Sequence, residues 1–166
     1  SSNVSRCGRK AASISPLLAA PDCAPTDRRQ DPRMPDIIDF KTLERPGSPN
    51  TALLAPAGYA ASAEPDGAAP IYDVPPGELY LRALRLIGER REWKLGVQDA
   101  SNMRLNFVAT SALMRFKDDV DIVVLPVAGQ PEKSTFAGYS RSRIGYSDLG
   151  ANRKRLDAFS AALLSP

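Results

Sequence analysis

The sequence predicts an α+β fold: a four-stranded antiparallel sheet with N- and C-terminal helices packed on one face, preceded by a long Pro-rich extended arm. Three observations carry that reading. Twelve of the 15 prolines lie at or before Pro76, so an irregular first half precedes a compact second half. Beyond Pro76, one stretch of helical apolar spacing leads into four runs of strand character and then a second helix. The links between strand runs are hairpin-length, which favours antiparallel pairing with the helices segregated to one face.

Residues 1–35 form a basic, Pro-rich extension whose main apolar side chains are Ile14, Leu17 and Leu18. Ala11 to Ala20 has the composition of a short helix ended by Pro21, and Pro25, Pro32 and Pro35 forbid longer regular structure. Such a segment gains order only against a partner. Residues 36–76 read as an extended strap packed on the domain, because proline fixes its own φ and disfavours helix before it. Apolar beads at Leu53, Leu54, Tyr59, Ile71 and Tyr72 pin the strap, with Asn50 and Asp66 as turn residues. Residues 77–166 are the α+β core, and 36–166 together make one globular domain.

Within the core, Gly77–Gly88 is predicted helical, with Tyr80, Ala83, Leu84 and Ile87 on one face and Gly88 as its stop. Glu78 suits the first turn and pairs with Arg82 at i,i+4. The strands are Trp93–Gln98, Met103–Thr110, Val120–Val127 and Ser134–Arg143. Asp99 to Asn102 is a turn. Leu105, Phe107 and Ala109 alternate with Arg104, Asn106 and Val108, which puts the second set outward. Phe116 to Asp119 turns the chain, so Asp118, Asp119 and Asp121 are solvated turn carboxylates rather than a calcium loop, whose pattern they lack. Pro126 points to an edge or a bulge. Residues 129–133 form a hairpin loop, and the last helix covers 149–164.

Net charge is +3, unevenly placed: residues 139–166 hold five Lys/Arg against two Asp/Glu. That excess is too small and too poor in interleaved aromatics for a nucleic-acid surface. No run of 18 apolar residues is present, so no transmembrane segment is expected. The chain begins Ser-Ser, the form a targeting segment leaves after removal. Cys7 and Cys23 are a candidate disulfide, which implies an oxidising compartment; the alternative is two free thiols.

Tyr139 to Arg155, YSRSRIGYSDLGANRKR, is the richest stretch for chemistry. On a strand Arg141 and Arg143 share a face about 7 Å apart, a spacing that suits fork-like bonds to an anion. Asp148 is the expected N-cap of the last helix. Arg153, Lys154 and Arg155 then fall in its early turns, where cations oppose the dipole and call for anionic company. Two readings stand: a structural tie between Arg141 or Arg143 and Asp118, Asp119, Asp121 or Asp148, or the capture of an external anion or an acidic protein surface.

Catalytic chemistry has little to build on. With no His, the usual Ser-His and Cys-His nucleophile systems are unavailable. No phosphate loop or dinucleotide fingerprint occurs. Ser111 has no evident base. No cofactor and no metal ion are expected.

Several segments resemble the domain-of-unknown-function 1499 family: RPGSPN (45–50), LLAPAGY (53–59), AEPDGAAP (63–70), FVATSALMRFKDDVDIVV (107–124) and above all YSRSRIGYSDLGANRKR (139–155). The likeness covers about residues 39–164 and leaves the arm before Asp36 without a recognised counterpart. It implies bacterial or plastid-lineage proteins, often exported, with no activity attached. Arg45, Asn50, Asp66, Ser111, Arg141, Arg143, Asp148 and Asn152 match its polar pattern and form, with Arg153 and Arg155, the candidate anion- or partner-binding set.

These observations lead to an expected non-catalytic accessory or structural subunit of a chloroplast thylakoid lumen, or of a bacterial periplasm. It would bind the lumenal face of a larger membrane complex, such as a photosystem-antenna assembly, through residues 1–35 and the domain surface. The rival is a stand-alone protein that binds a small anion, lipid headgroup or metabolite with Arg141 and Arg143. An enzyme of unknown type is the third.

Overall fold

The computed structural model describes residues 37–111 and 115–164. Cys7, Cys23 and the proposed partner contacts of residues 1–35 lie outside them. The elements run β1 (Thr51–Leu54), α1 (Pro76–Glu89), β2 (Trp93–Asp99), β3 (Arg104–Thr110), β4 (Lys117–Val127), β5 (Gln130–Ser142) and α2 (Ala151–Ala162).

The α+β class holds, but the antiparallel sheet has five strands, ordered β1-β5-β4-β3-β2, instead of the four expected. The added strand is β1, a piece of the predicted strap that pairs with the end of β5, Thr51 opposite Arg141 and Leu54 opposite Gly138. Tyr72 makes a second, isolated bridge to Ser134 on the same strand. Residues 51–72 therefore close the β5 edge, which would otherwise present unpaired backbone groups.

Both helices cover one face. Leu79, Tyr80, Ala83 and Ile87 of α1 and Leu156 and Phe159 of α2 pack on Leu105, Phe107, Val120, Ile122 and Phe136 of the sheet. Each large side chain buried in this way is worth about 1.5–3 kcal/mol. Gly138 lets α2 approach: a Cβ there would lie 2.9 Å from the Phe136 ring and 3.2 Å from Leu156. Pro76 opens α1, where its missing N–H costs nothing. Gly88 does not stop α1, which continues to Glu89.

The opposite face is not the solvent face that the alternation of β3 implied. Phe40, Leu43, Ala60 and Ala63 of the strap pack there with Leu53, Val123, Ala137 and Tyr139. Asn106, expected outward, is fully buried. A sheet covered on both sides buries polar residues of either face, and these must then find partners within the protein.

Two strand boundaries move for related reasons. β4 begins at Lys117, so Asp118, Asp119 and Asp121 are buried strand residues, not solvated turn carboxylates. β5 begins at Gln130, and the hairpin turns at Ala128 and Gly129, whose φ of 72° suits glycine. Pro126 sits at the irregularity where the β4–β5 register shifts.

Candidate functional site

Strand alternation splits the three aspartates of β4 between the two faces. Asp118 lies opposite Ser142, on the helix side; Asp119 and Asp121 lie opposite Arg141 and Tyr139, on the strap side. They therefore do not converge on one cation. Among the described residues no three His, Cys, Asp or Glu side chains gather as a metal-ligand set.

On the strap side, Arg143 donates from Nε and Nη2 to the two oxygens of Asp119, at 3.0 and 2.7 Å. This two-bond pair raises the arginine's pKa still further. Arg141 Nε stays 3.8 Å from Asp119 Oδ2, beyond hydrogen-bond range. The pair joins β4 to the end of β5, so it ties strand to strand and does not reach the helix.

The tie to the helix is made by a residue further on. Arg155 Nη2 donates to Asp118, and Nη1 donates to Ser140 Oγ at 3.0 Å and Asn152 Oδ1 at 2.7 Å. Asn152 Nδ2 donates to Ser142 Oγ and to the carbonyl of Asn50. Asn50 Nδ2 in turn donates to the carbonyl of Gly145. One network thus joins the residue before β1 to β4, β5, α2 and the loop between the last two. Ser140, buried with its Oγ on Asn152, was not singled out from the sequence; its place between Tyr139 and Arg141 on a strand put it on the helix side.

Asp121 and Asn106 face one another under the strap. Asn106 Nδ2 donates to Asp121 Oδ1 at 2.9 Å, while Asp121 Oδ2 and Asn106 Oδ1 are buried acceptors without a donor among the described residues. Burial pushes the Asp121 carboxyl up to about 6, against the opposing effects of the Asn106 bond and the Arg141 charge.

The remaining predicted residues separate. Arg45 bonds Asp66 Oδ1 at 2.9 Å, Thr51 and the Glu64 carbonyl, while Asp66 Oδ2 accepts the Leu53 amide. That cluster locks the strap to β1. Arg153 reaches the Asp66 carbonyl and pairs with Asp157, its guanidinium lying over Gly67 where a Cβ would come within 2.7 Å of it. Ser111 closes its own turn, its Oγ accepting the Phe116 amide at 2.9 Å. Asp148 is not the N-cap by position, because Gly150 is, with φ 79°. Its carboxylate nevertheless takes the amides of Gly150 and Asn152, the work of a cap done from two residues upstream.

What the network holds up is the loop between β5 and α2. Ile144, Tyr146 and Leu149 are 69, 75 and 89% exposed, far above any core residue. Leu149 also adopts φ 52°, a left-handed conformation that costs an L side chain about 1–2 kcal/mol. The loop leaves β5 beside Lys117, whose carbonyl accepts the Arg143 amide, and next to exposed Phe116.

The family model described as "Protein of unknown function (DUF1499)" matches residues 13–163. The match begins well before Asp36, so the arm from residue 13 onward is shared with the family, contrary to the expectation that it had no counterpart. No curated protein matches the chain. Among solved structures, the crystal structure of the di-domain ARO/CYC BexL from the BE-7585A biosynthetic pathway is similar at 13% identity, with a TM-score of 0.41. The alignment covers 58% of this chain and 42% of that one, so the chain spans less than half the length of that protein.

Proposed function

This chain belongs to the DUF1499 family, and on that premise we propose that it is a non-catalytic accessory module that docks on a larger protein complex through the loop between β5 and α2. One observation carries the reading. Arg143, Asn152 and Arg155 at the loop's flanks are spent on internal bonds, while the loop's three large apolar side chains are left in solvent. Arg143, Arg155 and Asn152 hold the loop's two ends, and Asn50 holds Gly145. A scaffold of this kind supports presentation: a rigid display of apolar side chains binds at a lower ordering cost than a floppy one.

The partner in this proposal is a membrane complex facing a lumen or periplasm, with a photosystem-antenna assembly of a thylakoid lumen as the specific case. Among the described residues no helix is long and apolar enough to cross a membrane. Native-gel migration of the endogenous protein tests the proposal. Co-migration with a large complex supports it, and migration as a free monomer contradicts it.

A further inference from the structure

We propose that the groove in front of Arg141 binds a small amphiphilic monoanion, a carboxylate carrying a short apolar tail. The site is distinct from the docking loop and does not depend on that reading.

Charge counting comes first. Two acids lie on the same face as Arg141: Asp119, both of whose oxygens Arg143 already occupies, and Asp121, which is buried and bonded to Asn106. Arg141 sits directly opposite Asp119 in the sheet, yet its side chain makes no hydrogen bond among the described residues. Its side chain is 39% exposed, so it is a cation held in place by a strand, with only a long 3.8 Å ion contact to Asp119 and its remaining donors open. The neighbouring Arg45 does not share that status, since Asp66 engages it.

The surroundings then define the ligand. Arg141 opens onto a concavity of about 460 Å³, lined also by Ile38, Leu43, Glu44, Arg45, Pro46 and Tyr139. That volume lies within the range of small-molecule sites. Ile38, Leu43, Pro46 and Tyr139 give the walls an apolar stretch, and the cation stands at one side, so the complement is an anionic head with a short hydrocarbon tail. A single guanidinium without a hydrogen bond matches one carboxylate in a two-bond fork. Glu44, also on the lining and without an ion pair among the described residues, opposes a second negative charge. The arrangement therefore favours a carboxylate over a phosphate dianion.

Titration calorimetry of the full chain with decanoate, below its micelle concentration, tests the proposal. Saturable binding at one site is expected, with inorganic phosphate binding at least tenfold more weakly. Arg141→Gln removes a charge-assisted pair and weakens decanoate binding about tenfold or more. Pro46→Glu, at an exposed position on the wall, places a negative charge in the groove and weakens it also. Because Pro46→Glu leaves the β4–β5 ion pairs untouched, it decides the matter if Arg141→Gln fails to fold. Absence of saturable decanoate binding overturns the proposal, as does unchanged binding in a folded variant. Phosphate binding as tight as decanoate overturns the assignment of an amphiphile.

Discussion

Arg143 takes both carboxylate oxygens of Asp119, at 3.0 and 2.7 Å, and so fixes the point where β5 ends and the exposed loop begins. On the other side of the sheet, Arg155 pairs with one oxygen of Asp118, and both of those side chains are nearly buried. A buried pair broken from one side leaves a stranded charge. Arg155→Ala is therefore expected to cost about 3–5 kcal/mol in urea unfolding. The exposed i,i+4 partner of Glu78 provides the contrast: Arg82→Ala is expected to cost about 0.5 kcal/mol or less.

Asp121 makes stability depend on pH in the direction opposite to ordinary acid denaturation. Its carboxyl has an ordinary value of 3.8 and is raised to about 6 in the folded protein. Between those values the folded state holds a proton that the unfolded state has lost. This group's contribution to stability is thus complete below pH 3.8 and is lost as pH rises through about 6. The full loss is on the order of 3 kcal/mol. Asp121→Asn removes this component, so its stability at pH 7 relative to pH 4 rises against wild type by that order. Equal pH profiles for the two proteins in equilibrium unfolding would contradict the assignment.

The close packing of α2 on β5 runs through Gly138. A methyl group there meets the Phe136 ring, Ile122 and Leu156 at 2.9–3.2 Å. Gly138→Ala is expected to lower stability by about 1–3 kcal/mol through overpacking. Leu156→Ala in the same background is expected to recover part of that loss relative to the sum of the two single changes, because the two sites share a contact.

What was legible in the sequence follows from whether the signal is local. Tyr80, Ala83 and Ile87 repeat with the helix period, so α1 showed itself without any knowledge of the sheet. β1 did not, because Thr51–Leu54 is four residues between prolines and becomes a strand only by pairing with Gly138 to Arg141. Asp118, Asp119 and Asp121 misled for the same reason. Three carboxylates in four residues read as a turn, and what makes them strand residues is Arg143, Arg155 and Asn106, each at least 15 residues away in the chain. The pairing of Arg143 with an aspartate of β4 was among the readings weighed from the sequence. That Arg141 would be left over was not, since it depends on which arginine reaches the carboxylate first.

Leu149 separates folding from docking. At 89% exposure and φ 52°, it adds no burial and carries backbone strain. Leu149→Gly is expected to leave stability unchanged or raise it by up to about 1 kcal/mol. The same change is expected to weaken co-migration with a large complex. A loss of stability above about 1 kcal/mol would show that Leu149 serves the fold instead.

The central claim is that the loop between β5 and α2 is a docking surface. Native gel electrophoresis of tagged protein expressed in its own cells tests it most directly, comparing wild type with the triple variant Ile144→Ser, Tyr146→Ser, Leu149→Ser. The account predicts that wild type runs with a large complex and that the folded triple variant runs as a free monomer. A triple variant that still co-migrates, or a wild-type protein that never does, contradicts it.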